Sequence, residues 1–165
     1  MNTIYLAGGC FWGMQKFFDQ FDGVTDTEVG YANGPEPAPS YEDVCGSSGH
    51  AETVRVDYDP DRISLEQLLT YYFMVIDPLS VNRQGNDRGI QYRTGIYYTD
   101  ESQLPELREL YRAEEEKAGA KLAVELAPLQ NFFPAEDYHQ KYLDKNPGGY
   151  CHIPSRFFDL ERPSY

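Results

Sequence analysis

Hydrophobic and polar positions change period several times along the chain, and each change marks an element. Residues 3–7 are a short, mostly apolar run stopped by Gly8-Gly9, which predicts a strand. Phe11, Met14, Phe18 and Phe21 then recur at helical spacing, with Gln15, Lys16, Asp19 and Gln20 on the other side. Gly23 is placed to close that helix. Residues 24–31 predict a second strand, and residues 51–58 alternate well enough to give the clearest strand signal of all. Ser64 starts a helix with Gln67 completing a capping box, and Leu65, Leu68, Leu69, Tyr72 and Ile76 form its apolar stripe.

Irregular stretches separate these elements. Residues 32–49 are rich in Pro, Gly and Ser, with Pro35, Pro37 and Pro39 barring regular structure. Residues 77–91 are polar and carry Gly85 and Gly89. A strand is expected near 95–98. Next comes a charged helix capped by Ser102 and running to about Ala118, with Pro105 tolerated in its first turn. A short strand at 124–127 and a short helix near 136–146 precede Pro147-Gly148-Gly149 and an irregular end. Strands and helices mix without a clean βαβ rhythm. The predicted fold is therefore α+β, a sandwich of helices on a mostly antiparallel sheet. No repeat or linker divides the chain, so residues 1–165 read as one domain. Its tail, from about residue 146, is expected to be mobile and carries Cys151.

Composition narrows the functional classes. A hydrophobic fraction of 41% in 165 residues supports a real core. The net charge of −13 repels phosphate backbones and argues against nucleic-acid binding. No segment is apolar for long enough to span a bilayer. The run Leu6-Ala7-Gly8-Gly9-Cys10 faintly resembles a lipoprotein cleavage site, but it lacks a basic start and an apolar core, so the cytoplasm is the expected compartment. The three cysteines, Cys10, Cys45 and Cys151, are far apart and fit a reducing compartment better than a secreted disulfide framework. His50, His139 and His152 lack metal-ligand spacing, so no metal is expected. Most of the 14 Tyr and nine Phe fill the core and its rim, leaving a few for a pocket.

Chemistry concentrates at a few positions. Cys10 sits where a strand ends and an amphipathic helix begins, where free N–H groups and the helix dipole favour an anion. A thiol there is expected to have a lowered pKa; the alternative is a small packing cysteine. Gly8-Gly9 permit close approach of a ligand, and Phe11-Trp12 offer an apolar wall. By strand alternation Glu52 shares a face with Val54, Val56 and Tyr58, where desolvation would keep it protonated and able to donate. It could equally be a strand-end residue reaching solvent. Tyr41 and Tyr92 lie in or beside irregular polar segments and could donate to a ligand oxygen, or pack at the rim. Asp87, Arg83, Arg88 and Arg93 read as loop-organising pairs. Cys151 follows a flexible run suited to transient disulfide formation, and Cys45 to packing. Two other classes stay open: a cysteine hydrolase or acyltransferase using His50 or His139, and a module binding an alkyl group between Phe11, Trp12 and Tyr92.

Several ordered motifs then point one way. Gly9-Cys10-Phe11-Trp12-Gly13, Tyr41-Glu42-Asp43-Val44-Cys45, Gly49-His50-Ala51-Glu52, Asn82-Arg83-Gln84-Gly85-Asn86-Asp87, Gln91-Tyr92-Arg93, Tyr138-His139-Gln140 and Asn146-Pro147-Gly148-Gly149-Tyr150-Cys151 occur in sequence. Together they resemble the A-type peptide methionine sulfoxide reductase family over nearly the whole chain. The resemblance implies a ferredoxin-like α/β sandwich with long loop excursions. It implies Cys10 as nucleophile, Glu52 as acid and Tyr41 and Tyr92 as hydroxyls holding the sulfoxide oxygen. Phe11 and Trp12 would line the methyl pocket, Asp87 would be a polar site residue, and Cys151 the resolving thiol. The implied substrates are free and peptide-bound methionine S-sulfoxide. No bound cofactor is implied; thioredoxin, an external dithiol, would recycle a monomeric enzyme. Ile76, Leu79, Ile90 and Thr94 depart from the family pattern, which bears on rate or substrate preference.

Overall fold

The structure is a computed structural model that describes residues 2–34, 49–85, 87–149, 151, 153–154 and 157–158. Its elements are β1 (Asn2–Ala7), α1 (Phe11–Asp19), β2 (Val24–Ala32), β3 (Ala51–Tyr58), α2 (Leu65–Val75), β4 (Arg83–Gln84), β5 (Asp87–Arg88), β6 (Gly95–Tyr98), α3 (Leu104–Ala118), β7 (Glu125–Pro128), β8 (Phe132–Pro134) and α4 (Tyr142–Lys145). One sheet runs β7-β6-β1-β3-β2-β8. Its neighbours pair antiparallel, apart from parallel β6 and β7, which α3 connects. The mixed α/β architecture with a mostly antiparallel sheet agrees with the sequence.

Alternation along the strands sorts side chains between two faces. Ile4, Leu6, Val29, Tyr31, Val54, Val56, Tyr58 and Ile96 turn toward α1 and α2 and are buried with Phe11, Met14, Phe18, Leu68, Leu69 and Tyr72. The opposite face carries a smaller cluster around Ala7, Ala32, Ala51 and Tyr97. There Arg55 pairs with Glu28 at 2.6 Å and with Asp26 at 2.9 Å. Ser64 and Gln67 form the expected capping box at the start of α2.

The chain departs from the expected boundaries where tertiary contacts override local signals. α1 stops at Asp19, and Phe21 lies beyond it, stacked on Tyr71 with centroids 4.3 Å apart. Gly23 is not the cap; a Cβ there would come within 2.4 Å of Ile63 Cγ2, so the position needs glycine for close approach. Gln15, placed on the polar side by periodicity, is buried because residues 137–141 pack across it: its Oε1 accepts from Lys141 N–H at 2.7 Å. Asp100 rather than Ser102 opens the α3 region. Its carboxylate accepts from Ser102 N–H at 2.9 Å and starts a 3₁₀ turn, Glu101–Gln103. Residues 77–91 contain the β4–β5 hairpin and the start of a 3₁₀ turn, Ile90–Tyr92. The expected helix at 136–146 divides into a 3₁₀ turn (Asp137–His139) and α4, because Lys141 takes φ 55° between them. Strand β8 escaped the sequence reading. It is a three-residue edge strand, where Pro134 is tolerated. Tyr41 and Cys45 lie outside the described residues.

Candidate active site

Cys10 caps α1 at its junction with β1. Two glycines make that junction. Gly9 takes φ 82°, open to glycine at little cost, and a Cβ on Gly8 would meet Ile76 Cγ2 at 2.7 Å. The thiol ends up 7% exposed. Burial pushes its pKa up, and Glu52, Asp87 and Cys151 act in the same direction. The Trp12 backbone N–H, part of the helix start, opposes them. The helix effect anticipated from sequence is present but outweighed by desolvation, so free Cys10 is a thiol at neutral pH rather than a ready anion.

Glu52 lies on β3 directly across from Tyr31 on β2, and is 1% exposed. Its Oε1 accepts from Phe11 N–H at 3.2 Å, the residue next to Cys10. Its buried Oε2 has no hydrogen-bond partner among the described residues. Burial pushes the carboxyl up to about 8, with Asp87 adding to the rise and the Phe11 N–H opposing it. At pH 7 the group is therefore mostly a neutral acid. One oxygen is held by the helix start and the other is able to carry a proton toward a ligand. The inward reading of Glu52 is the one the fold adopts.

Aromatic rings complete the surroundings. Phe11 is buried, with its ring 5.7 Å from Tyr31 and 5.3 Å from His139. Trp12 is half-buried and stacked on Tyr142, 3.8 Å between centroids and 14° between planes. Its indole N–H donates to His139 Nδ1 at 2.9 Å. A nitrogen that accepts is unprotonated, and burial lowers the His139 pKa accordingly. The segment that brings His139 and Tyr142 here is tied down by Gln140, whose amide bonds both N–H and C=O of Val29. Tyr31 adds a bond from its hydroxyl to Glu136 Oε1 at 2.8 Å. Periodicity could not reveal these supports, since they sit on short irregular turns; the Tyr138-His139-Gln140 motif was the one available signal.

Asp87, on β5, is half-buried and acts electrostatically on Cys10, Glu52 and Cys151. Tyr92 is half-buried in the Ile90–Tyr92 turn, which packs against β3. Arg93 organises the surrounding loops as expected. It donates to the carbonyls of Gly49, Ile90 and Asn33 at 3.0–3.1 Å and pairs with Glu125 at 2.6 Å. Cys151 is half-buried, and its Sγ donates to Ile153 C=O at 3.5 Å. It borders a cavity of about 410 Å³ with Lys16, Leu143, Pro147 and Phe158. Cys10 and Cys151 are both free. The histidines proposed for a hydrolase are engaged elsewhere: His139 Nδ1 holds the indole, and the His50 ring sits under Gly34 and 5.8 Å from Phe133. Among the described residues no cluster of His, Cys, Asp and Glu is arranged to hold a metal ion.

A buried thiol and a protonated acid, each meeting a different backbone N–H at the start of α1, with a second free thiol in electrostatic reach, define a thiol-dependent oxidoreductase site. The comparisons make the class specific. The family model for peptide methionine sulfoxide reductase matches residues 2–162. A peptide methionine sulfoxide reductase MsrA of Clostridium acetobutylicum is 54% identical over 155 residues, 93% of this chain and 96% of that protein. Mxr1 from Saccharomyces cerevisiae in reduced form superimposes with a TM-score of 0.88 at 40% identity, covering 92% of this chain and 90% of that one. Mxr1 in complex with Trx2 is also similar, with a TM-score of 0.60 at 29% identity over 85% and 83% of the two chains. The chain belongs to the peptide methionine sulfoxide reductase family.

Proposed function

We propose that this oxidoreductase reduces methionine sulfoxide, free or within polypeptides and of S configuration, to methionine. The observation that carries the reading is the pairing of Cys10 with a buried, protonated Glu52 whose second oxygen lacks a hydrogen-bond partner among the described residues. A sulfoxide sulfur becomes electrophilic when its oxygen accepts a proton. Glu52 lends that proton, with the hydroxyls of Tyr92 and Tyr41 holding the oxygen and Phe11 and Trp12 receiving the methyl group. The Cys10 sulfur attacks and is oxidised by two electrons, ending as a sulfenic acid that carries the sulfoxide oxygen. The substrate sulfur is reduced by two electrons and leaves as the thioether. The substrate S–O bond breaks as the oxygen passes to Cys10; the proton lent by Glu52 stays on that oxygen as the sulfenic hydroxyl proton, and the thiol proton restores the Glu52 acid.

The tail from about residue 146 then brings the Cys151 thiol onto Cys10. An S–S bond forms, the S–OH bond breaks and water leaves. An external dithiol reduces the disulfide. The similarity to Mxr1 bound to Trx2 supports thioredoxin in that role, and a need for continual reduction supports a cytoplasmic setting. The order β6-β1-β3-β2 in the central sheet supports a ferredoxin-like core. Mass spectrometry after adding methionine S-sulfoxide without reductant tests the scheme. One equivalent of methionine and a Cys10–Cys151 bond are expected; unchanged thiols with no methionine would overturn it.

A further inference from the structure

We propose that Arg93 is a positioning residue for two tyrosine hydroxyls, clipping the turn that ends in Tyr92 onto the neck of the connection that carries Tyr41. The inference rests on the reading of those hydroxyls as holders of the sulfoxide oxygen. β2 and β3 pair as far as Tyr31 with Glu52 and Ala32 with Ala51, so the chain leaves β2 and re-enters β3 at one neck. Gly34 and His50 pack together there, the imidazole filling the space that a Cβ on Gly34 would need. One guanidinium closes this neck. Arg93 Nη2 donates to Asn33 C=O at 3.0 Å on the outgoing side, and Nη1 donates to Gly49 C=O at 3.1 Å on the returning side. The same Nη1 donates to Ile90 C=O at 3.0 Å, at the start of the turn Ile90–Tyr92. Three separate pieces of backbone therefore meet on one planar fork. Its rigidity sets their relative places, which a point-like ammonium would not do.

The fork is itself held in place. Its Nε donates to Glu125 Oε1 at 2.6 Å, and the same oxygen accepts from the Tyr97 hydroxyl at 2.6 Å. The Arg93 side chain is 12% exposed, so its bonds are largely shielded from water. The outgoing side of the neck has a second anchor in the segment between β7 and β8. Asn33 Oδ1 accepts from Gln130 N–H at 2.7 Å, and Asn131 Nδ2 donates to Gly34 C=O at 2.7 Å. Removing the fork should therefore loosen the returning side and the Tyr92 turn while the paired strands stay folded.

The test follows methionine release in the first turnover of methionine S-sulfoxide without reductant. Arg93→Met removes the fork at similar length. Its rate should fall on the order of 10²-fold, the scale of a group at the reacting centre misplaced by about 1 Å. Arg93→Lys keeps a cation beside Glu125, but one nitrogen cannot span both sides of the neck and the turn. It should stay down by about 10-fold or more. In a Tyr41→Phe/Tyr92→Phe background, which has no hydroxyls to place, adding either substitution should cost less than about 2-fold further. Backbone hydrogen exchange should quicken in both Arg93 variants in peptides covering residues 49–53 and 89–93. A wild-type rate in Arg93→Lys would overturn the proposal. So would an equal cost with and without the two hydroxyls, or unchanged exchange in those peptides. Should Arg93→Met fail to fold, Arg93→Lys carries the same cycle. If the wild-type protein released no methionine, the functional reading would fall, and the exchange measurement alone would decide whether Arg93 clips the two segments together.

Discussion

Among the described residues, the two free cysteines occupy opposite kinds of ground. Cys10 is fixed by the strand–glycine–helix junction and 7% exposed, with Glu52 of β3 and Asp87 of β5 acting on it electrostatically. Cys151 is half-buried, packed at the edge of the core, bonded to Ile153 C=O and open to a cavity. Burial raises both thiols, but Cys151 has Lys16 nearby to favour its anion, whereas the charges around Cys10 are acidic. The difference teaches a division of labour. In the proposed scheme one sulfur is held still and quiet until a polarised substrate arrives. The other is more open, and borders a cavity from which it can be reached.

Breaking the buried side of this comparison should cost most. Cys10→Ser should lower methionine release on the order of 10⁵–10⁶-fold, the scale of losing a nucleophile, measured by stopped assay. Glu52→Gln should slow the first turnover on the order of 10²–10⁴-fold, because the amide cannot lend a proton. With Glu52 pushed up to about 8, the wild-type first-turnover rate should be flat below that pH and fall as pH rises through it, a dependence absent from Glu52→Gln. The stability consequence has the opposite sign to the activity. Between the ordinary carboxyl value of 4.5 and about 8, the folded state keeps a proton the unfolded chain has lost, so stability declines as pH rises through that window. Glu52→Gln lacks this penalty and should be the more stable protein at pH 8, by a margin on the order of a few kcal/mol in urea melts.

Changes on the open side should be milder. Cys151→Ser should release one equivalent of methionine at the normal rate and then stall with thioredoxin, leaving a trappable sulfenic acid on Cys10. Gly149 offers the finest probe. A Cβ there would meet the Tyr142 ring at 2.9 Å and Asn146 C=O at 3.1 Å, whereas one on Gly148 would meet nothing within 4 Å. Gly149→Ala should slow formation of the Cys10–Cys151 bond by about threefold to tenfold, a shift of about 1 kcal/mol in the barrier, with the sulfenic step unchanged. Gly148→Ala should leave both steps alone. Quenched-flow thiol titration separates them.

What was legible in the chain follows the range of the forces involved. β3 and the Ser64 capping box could be read because alternation and capping are local, and with β3 came the inward orientation of Glu52 as one of two that alternation left open. The position of Cys10 at a helix start was equally local. Its acidity was misjudged because desolvation depends on burial by elements distant in sequence, β3 among them, which no window of sequence contains. Gln15 was placed on a solvent face for the same reason: residues 137–141 cover it. His139 and Tyr142 went unassigned as supports of Trp12 because the contact spans most of the chain and rests on turns without periodicity. Strand β8 is defined by pairing with β2 alone, and its Pro134 argued against it.

The register of β2 against β3 slips once, between Val24 and Asp26, so that Thr25 is an extra residue at one end of the ladder. From there the pairing runs in step to Tyr31 opposite Glu52 and Ala32 opposite Ala51. A single-residue slip along this ladder would turn the carboxyl out of the molecule. By housing its irregularity at the remote end, the hairpin gains a place where length can vary. Gains or losses of a residue around Thr25 are absorbed locally, while the end bearing the acid keeps its phase.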